Sequence, residues 1–133
     1  MRTSVRVGQL TAFAALALAA TLGVAARADN NVTHEATLVT SGVDPDAHGR
    51  ARFEMRERNR LRFEVEVEDV FSSDAAVVLV NGDPVGVMDL NGGQGELRLE
   101  TENGDDVPVI NTGDIVDIIN ADDGTLLLEG VFN

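Results

Sequence analysis

Residues 50–68 have the sequence RARFEMRERNRLRFEVEVE, in which apolar and charged side chains alternate along two consecutive segments. Alternation with a period of two predicts half-buried β-strands, because successive side chains of a strand point to opposite faces. In the first segment, Ala51, Phe53 and Met55 share the apolar face. The apolar face of the second segment carries Leu61, Phe63, Val65 and Val67. The stretch therefore predicts two strands that form a β-hairpin.

The register of this hairpin follows from the requirement that paired residues share a face of the sheet. Placing Phe53 opposite Phe63 requires a three-residue loop at 57–59, in which Asn59 suits the left-handed position. The same register pairs opposite charges on the solvent face: Glu54 with Arg62, Arg52 with Glu64 and Arg50 with Glu66. Charge and hydrophobicity thus predict the same hairpin, and we interpret the arginines as strand partners rather than as a basic ligand site.

The rest of the chain is also typical of short strands. Glu35–Thr40 predicts a strand before the hairpin, and the apolar run Ala75–Val80 predicts a strand buried on both faces. Further strands are predicted at 85–90, 96–101, 107–110, 115–119 and 125–132, between turns rich in Asn, Asp and Gly. These patterns predict an all-β fold, an antiparallel β-sandwich of about eight or nine short strands, with a small closed β-barrel as the alternative.

An approximate internal repeat is found when the sequence is shifted by 31 residues. Gly82 and Asp83 then fall on Gly113 and Asp114, and apolar positions of the following strands coincide. Two copies are too few for a repeat array. We predict a duplicated hairpin, at 79–101 and 110–132, within one domain.

The N-terminal residues 1–28 have the features of a secretory signal peptide. Arg2 and Arg6 precede an apolar run at 10–26, and Ala26-Arg27-Ala28 is a small-residue cleavage site. We predict cleavage after Ala28, a single mature domain at 29–133, and a secreted or periplasmic location. No second apolar stretch of spanning length follows, so membrane insertion after cleavage is not expected.

The charge of the chain limits its partners. The formal net charge is −13, and loss of three N-terminal arginines leaves seven Arg against 23 acidic residues, or −16. Residues 64–133 hold 17 of those acids and only Arg98. Such a surface repels nucleic acid and favours cations or basic partners. The partners we expect are extracytoplasmic proteins or matrix. The absence of Cys excludes disulfides and thiol redox chemistry.

Residues 36–70 resemble the opening of chordin-type (CHRD) β domains, in which a strand and a turn precede a G-x-A-x-F strand and a charged alternating strand. The matching residues are Gly49, Ala51 and Phe53. The second half of the chain is similar to small uncharacterised exported bacterial β proteins. Neither resemblance implies an enzyme. Ten Arg and no Lys suggest a GC-rich coding sequence, which points to a bacterial origin.

Catalytic motifs are not evident in the sequence. His34 and His48 are the only histidines, too few for a three-histidine zinc site, and no serine lies in a nucleophile elbow. Paired carboxylates can be nominated among 23 acids, but the Trp and Tyr that often stack on sugars are absent. A small carboxylate-dependent hydrolase or lyase therefore remains only a minor alternative.

Calcium binding is the main alternative chemistry, because Ca²⁺ takes several oxygen ligands and the turns offer closely spaced carboxylates. The candidate ligands are Asp105, Asp106, Asp122 and Asp123. The sequence favours a non-enzymatic exported β module, structural, adhesive or protein-binding, with a strongly acidic surface and no catalytic residues. A Ca²⁺-stabilised binding module is the second hypothesis.

Overall fold

A computed structural model of the chain describes residues 31–133. They form eight β-strands and two single-turn 3₁₀ helices, at 57–59 and 101–103. The strands are β1 (Val32–Thr40), β2 (His48–Arg56), β3 (Arg60–Glu68), β4 (Ala75–Val80), β5 (Asp83–Asp89), β6 (Gly95–Glu100), β7 (Ile115–Asn120) and β8 (Leu126–Val131). The predicted signal peptide at 1–28 lies outside the described residues.

The β2–β3 hairpin has the predicted register. Phe53 lies opposite Phe63, and the three predicted charge pairs, including Arg52 with Glu64, lie opposite each other. Asn59 ends the loop with a φ of 59°, the left-handed conformation that its position requires. The prediction is confirmed because turn geometry, hydrophobic alternation and charge pairing are all local properties that agree.

The eight strands belong to one antiparallel sheet with the order β5-β4-β7-β8-β1-β2-β3-β6. The edge strands β5 and β6 are consecutive in sequence, and the turn that joins them contains a backbone bridge between Asn91 and Gln94. A Cβ atom at Gly86 of β5 would lie 2.7 Å from the side chain of Leu97 on β6, so the two edges pack closely. The sheet is therefore nearly closed and barrel-like. The all-β prediction is confirmed, and the architecture corresponds to the small barrel rather than to two separate sheets.

The core is the interior of this barrel. All fully buried side chains between residues 31 and 133 are apolar, and the largest are Phe53, Phe63, Phe132, Leu38 and Met88. Each contributes roughly 1.5–3 kcal/mol through removal from water. Stability thus depends on the inward-facing half of each strand.

The predicted strand at 107–110 is wrong. This segment runs as irregular backbone between the end of β6 and the start of β7, although Val107 and Ile110 are buried. Pro108 has no N–H group to donate to a neighbouring strand, which disfavours a place within a sheet. The segment instead crosses one end of the barrel and covers the core with two apolar side chains.

The strand predicted at Ala75–Val80 has the predicted bounds, but its burial on both faces is wrong. Ala76, Val78 and Val80 point into the core, whereas the three alternate side chains are only partly buried. A single sheet that curls on itself has no second layer over its outer surface. The apolar outer positions of β4 consequently face outward.

The two predicted hairpin copies differ in their pairing. Strands β7 and β8 form an antiparallel hairpin from Ile115 opposite Val131 to Ile119 opposite Leu126. Strands β5 and β6 instead lie at the two ends of the sheet order, where each pairs with another strand. The repeat at 79–101 therefore does not form a strand-paired hairpin, because its two strands close the barrel edge.

The close approach of β2 and β3 at Gly49 predicts a severe effect of a single methyl group. A Cβ atom there would lie 2.3 Å from the carbonyl oxygen of Glu66, which cannot move without separating the strands. We expect Gly49→Ala to lower the free energy of unfolding by about 2–3 kcal/mol in urea denaturation. Gly86→Ala is the matched control, since its Cβ meets only the end of the flexible Leu97 side chain. Equal losses in the two variants would contradict this account.

Candidate binding surface

The outer surface of the barrel has a charged part formed by β2, β3 and β6, called here the charged face. Its ion pairs include Arg52–Glu54 at 2.6 Å and Arg98–Glu64 at 2.8 Å. Six arginines with described side chains each have a carboxylate within 4.0 Å: Arg50, Arg52, Arg56, Arg60, Arg62 and Arg98. Two of the three predicted cross-strand pairs, Arg50–Glu66 and Arg62–Glu54, lie within 4.0 Å, whereas Arg52 contacts Glu54 and Glu35 rather than Glu64.

The remaining outer surface is largely apolar. We call it the apolar face and define it by the outward-facing side chains Val39, Val77, Leu79, Val87, Ile115, Ile119, Leu126 and Val131. Register places them together, since Val77 lies opposite both Val87 and Ile119, and Ile119 lies opposite Leu126. Val39, Val87 and Val131 are 61%, 60% and 58% exposed. Ile115 lies opposite Val131, whereas Val39 has Glu129 and His48 as its cross-strand neighbours. Where exposed apolar surface is contiguous, it marks interaction sites.

The apolar face could have been found in the sequence from β4 and β7, in which apolar residues occupy both inward and outward positions. Such runs are normally explained by burial on both faces. Only the single-layer architecture shows that the outer positions are uncovered. The residues of β4 and β7 were predicted as strand residues, but the sequence did not predict that their outward side chains form an exposed apolar face.

Two carboxyl groups lie within the apolar face. Asp117 of β7 is opposite Glu129 of β8, with Leu79 of β4 beyond Asp117 and Val39 of β1 beyond Glu129. The Oδ1 atom of Asp117 is buried and has no hydrogen-bond partner among the described residues. Burial, with the hydrogen bond and charge of Glu129, raises the pKa of Asp117 to about 6. Asp117 is therefore partly protonated in mildly acidic solution.

No cation of the apolar face neutralises this carboxyl pair within residues 31–133. The nearest basic side chains across the sheet are His48 and Arg50 on β2, which lie beyond β1 and opposite Val39 and Thr37. Two strand spacings, about 10 Å, separate them from Glu129. Both side chains have a carboxylate of β3 as their neighbour, because His48 contacts Glu68 and Arg50 contacts Glu66.

A carboxyl pair with one raised pKa also occurs in acid–base catalysis, but its surroundings differ here. Catalytic pairs lie in concave sites that exclude water and enclose the substrate. Asp117 and Glu129 lie on outward positions of adjacent strands, on the convex side of the barrel.

The four predicted calcium ligands lie in two separate turns. Asp105 and Asp106 follow β6, and Asp122 and Asp123 connect β7 to β8. Five antiparallel steps separate β6 from β7 in the sheet, so their carboxyl ends lie at opposite ends of the barrel. One ion cannot be held by all four residues. Nor do the described residues contain any group of three or more His, Cys, Asp or Glu placed to hold a metal.

Within each turn, the carboxylates bind local backbone. Asp105 accepts a hydrogen bond of 2.9 Å from the N–H of Glu100, and Asp123 accepts one of 2.9 Å from the N–H of Thr125. The Thr125 hydrogen bonds lower the pKa of Asp123. These contacts stabilise turns by the usual role of Asp. Ion binding by either pair alone stays a prediction.

The two histidines are far apart in the sheet. His34 lies in β1, where Nδ1 is 2.6 Å from the backbone oxygen of Asn133 and the ring stacks on Phe53. His48 begins β2. The contact of its Nδ1 with the backbone oxygen of Asp46, together with the charge of the nearby Glu68, raises the pKa of His48. Neither arrangement assembles a shared histidine site.

A groove of about 620 Å³ lies where β3 and β6 approach β5, and Val87 at the edge of the apolar face is part of its lining. Its lining includes the carboxyl groups of Glu66, Glu68, Asp89 and Glu96. Glu66 and Glu96 are direct cross-strand neighbours of like charge. The carboxyl groups of this acidic groove are part of the excess negative charge in the second half of the chain.

Comparison of the chain with protein-family models, curated proteins and solved structures found no match. The resemblance to chordin-type domains therefore stays a prediction. In the part of the chain that the structure describes, no helix has the length and apolar character needed to cross a membrane.

The raised pKa of Asp117 predicts a pH-dependent stability. Because the folded-state pKa of about 6 exceeds the usual value of 3.8, the folded protein binds more protons than the unfolded chain between these values. The free energy of unfolding should therefore fall as pH rises from about 4 to 6, by on the order of 1 kcal/mol from this group. Asp117→Asn should remove this decrease in urea denaturation, whereas Asp106→Asn should retain it. A wild-type slope that persists in Asp117→Asn would refute the assignment.

The separation of the acidic turns predicts that calcium has little effect on stability. We expect the thermal midpoints in EDTA and in millimolar Ca²⁺ to differ by less than about 1 °C, since neither turn gathers enough oxygen ligands for strong binding. Differential scanning calorimetry with Mg²⁺ as the control measures this. A rise of several degrees with Ca²⁺, lost in Asp105→Asn or Asp123→Asn, would instead support the calcium-stabilised hypothesis.

Proposed function

We propose that the chain is a non-enzymatic exported module that binds another protein through its apolar face. The observation that carries this proposal is the exposure of the apolar face, at 58–61% for Val39, Val87 and Val131. The predicted signal peptide places the partner outside the cytoplasm, in the periplasm or beyond the cell.

The dimensions of the apolar face suit a protein partner. Its centre lies on β4, β7 and β8, three neighbouring strands that together span about 10 Å at the usual strand spacing, whereas Val87 on β5 and Val39 on β1 lie further round the curved surface. The apolar centre of a specific interface is typically surrounded by a polar rim. Thr37 and the ion pairs of β2 supply polar groups next to β1. The apolar face therefore has the anatomy of a docking surface.

The rest of the surface supports a protein partner over nucleic acid or an anionic membrane. The mature charge of −16 repels phosphate groups, and the six arginines with described side chains are already paired with carboxylates. Exposed ion pairs contribute little to stability, but the basic groups in them are already bound to carboxylates and are not available to a phosphate ligand.

The proposal predicts that polar substitution of the apolar face abolishes partner capture. Tagged wild-type protein should be cross-linked in the extracytoplasmic fraction of the cells that produce it, and its covalent partners identified by mass spectrometry. Leu79→Ser combined with Val131→Ser should remove a specific partner, because it deletes apolar contact at outward positions without touching the core.

Glu96→Gln on the charged face is the matched control and should retain the partner. Thermal melts of each variant establish that the fold is intact. Identical cross-linked partners for wild type and the apolar-face variant would overturn the proposed function.

A further inference from the structure

We infer that the partner inserts an Arg or Lys side chain, surrounded by apolar residues, between Asp117 and Glu129. This inference rests on the proposed function and specifies the chemistry of the docking surface. It follows from the placement of an acidic pair without a cation inside an otherwise apolar face.

The geometry of the pair suits one cation. Directly opposite residues of antiparallel strands have Cβ atoms about 4.5–5.5 Å apart, so a single guanidinium or ammonium group can contact both carboxylates. Glu129 is exposed and Asp117 is partly exposed, so a cation can approach both carboxyl groups from the outside. The flat apolar faces of a guanidinium tolerate the neighbouring Leu79 and Val39.

A second copy of the chain fits this surface poorly. A two-fold interface centred on the apolar face would bring two Asp117–Glu129 pairs together without a cation. The arginines with described side chains lie on the charged face and contact carboxylates there. Charge complementarity therefore favours a different protein, with a basic group on an apolar surface.

The acidic pair would also select among partners. A purely apolar partner would cover the two carboxylates and leave them without water or a counter-ion, which is costly. Across the sheet, the groups that face the pair are Leu79, Val39 and Thr37, and the basic groups His48 and Arg50 lie one strand further. None of these compensates the charge, so the face rejects partners without a cation.

Small cations provide a direct test on the intact domain. Hexylguanidinium and hexanol share an alkyl chain, but only the first carries a charge. At neutral pH, amide shifts in ¹H–¹⁵N NMR spectra should identify hexylguanidinium on β7 and β8, with an affinity at least about tenfold above that of hexanol. Asp117→Asn combined with Glu129→Gln should remove this preference and leave hexanol binding unchanged.

Glu66→Gln combined with Glu96→Gln removes charge from the acidic groove and should not alter binding at β7 and β8. Equal affinities for the two probes, or hexylguanidinium shifts confined to the acidic groove, would overturn the inference. The proposed function has a separate readout. If Leu79→Ser with Val131→Ser loses the cross-linked partner but Asp117→Asn with Glu129→Gln retains it, the docking surface stands and the basic anchor is wrong.

Discussion

Among residues 31–133, no long helix or second sheet covers the inner face of the sheet, so that face is removed from water because the sheet curls on itself. Phe53, Phe63 and Phe132 are buried because the strands surround them. The two edge strands approach each other at Gly86 and Leu97 through side-chain packing. With no disulfide in the chain, apolar burial within the barrel supplies most of the stability.

The same constraint leaves the outer surface with no covering layer. On β2, β3 and β6 this surface is occupied by alternating opposite charges, which keep water as their neighbour and disfavour a shifted register. On β4, β7 and β8 it is occupied by Val, Leu and Ile. A charged side chain would be the usual choice at those positions. The Asp117–Glu129 pair departs from these apolar surroundings.

Prediction from sequence succeeded where the determining interactions are local. The β2–β3 register, including Arg50 opposite Glu66 and the left-handed Asn59, could be predicted because turn, alternation and charge lie within 20 residues of chain. It failed at 107–110, where apolar residues pointed to a strand but Pro108 and the path across the barrel end decided otherwise. The candidate ligands Asp105 and Asp123 could be named, yet their separation by five antiparallel steps could not be foreseen.

By itself, the sequence determined the strand content, the hairpin register and the acidic balance, because period-two alternation and charge counts require no knowledge of distant residues. The tertiary structure decided which apolar residues are core and which form a surface. Val78 and Val77 are neighbours in the same apolar run, but only the curvature of the sheet places Val78 inside and Val77 outside. The pairing of Asp117 with Glu129 was decided in the same way, since contact between the two side chains depends on how β7 and β8 align.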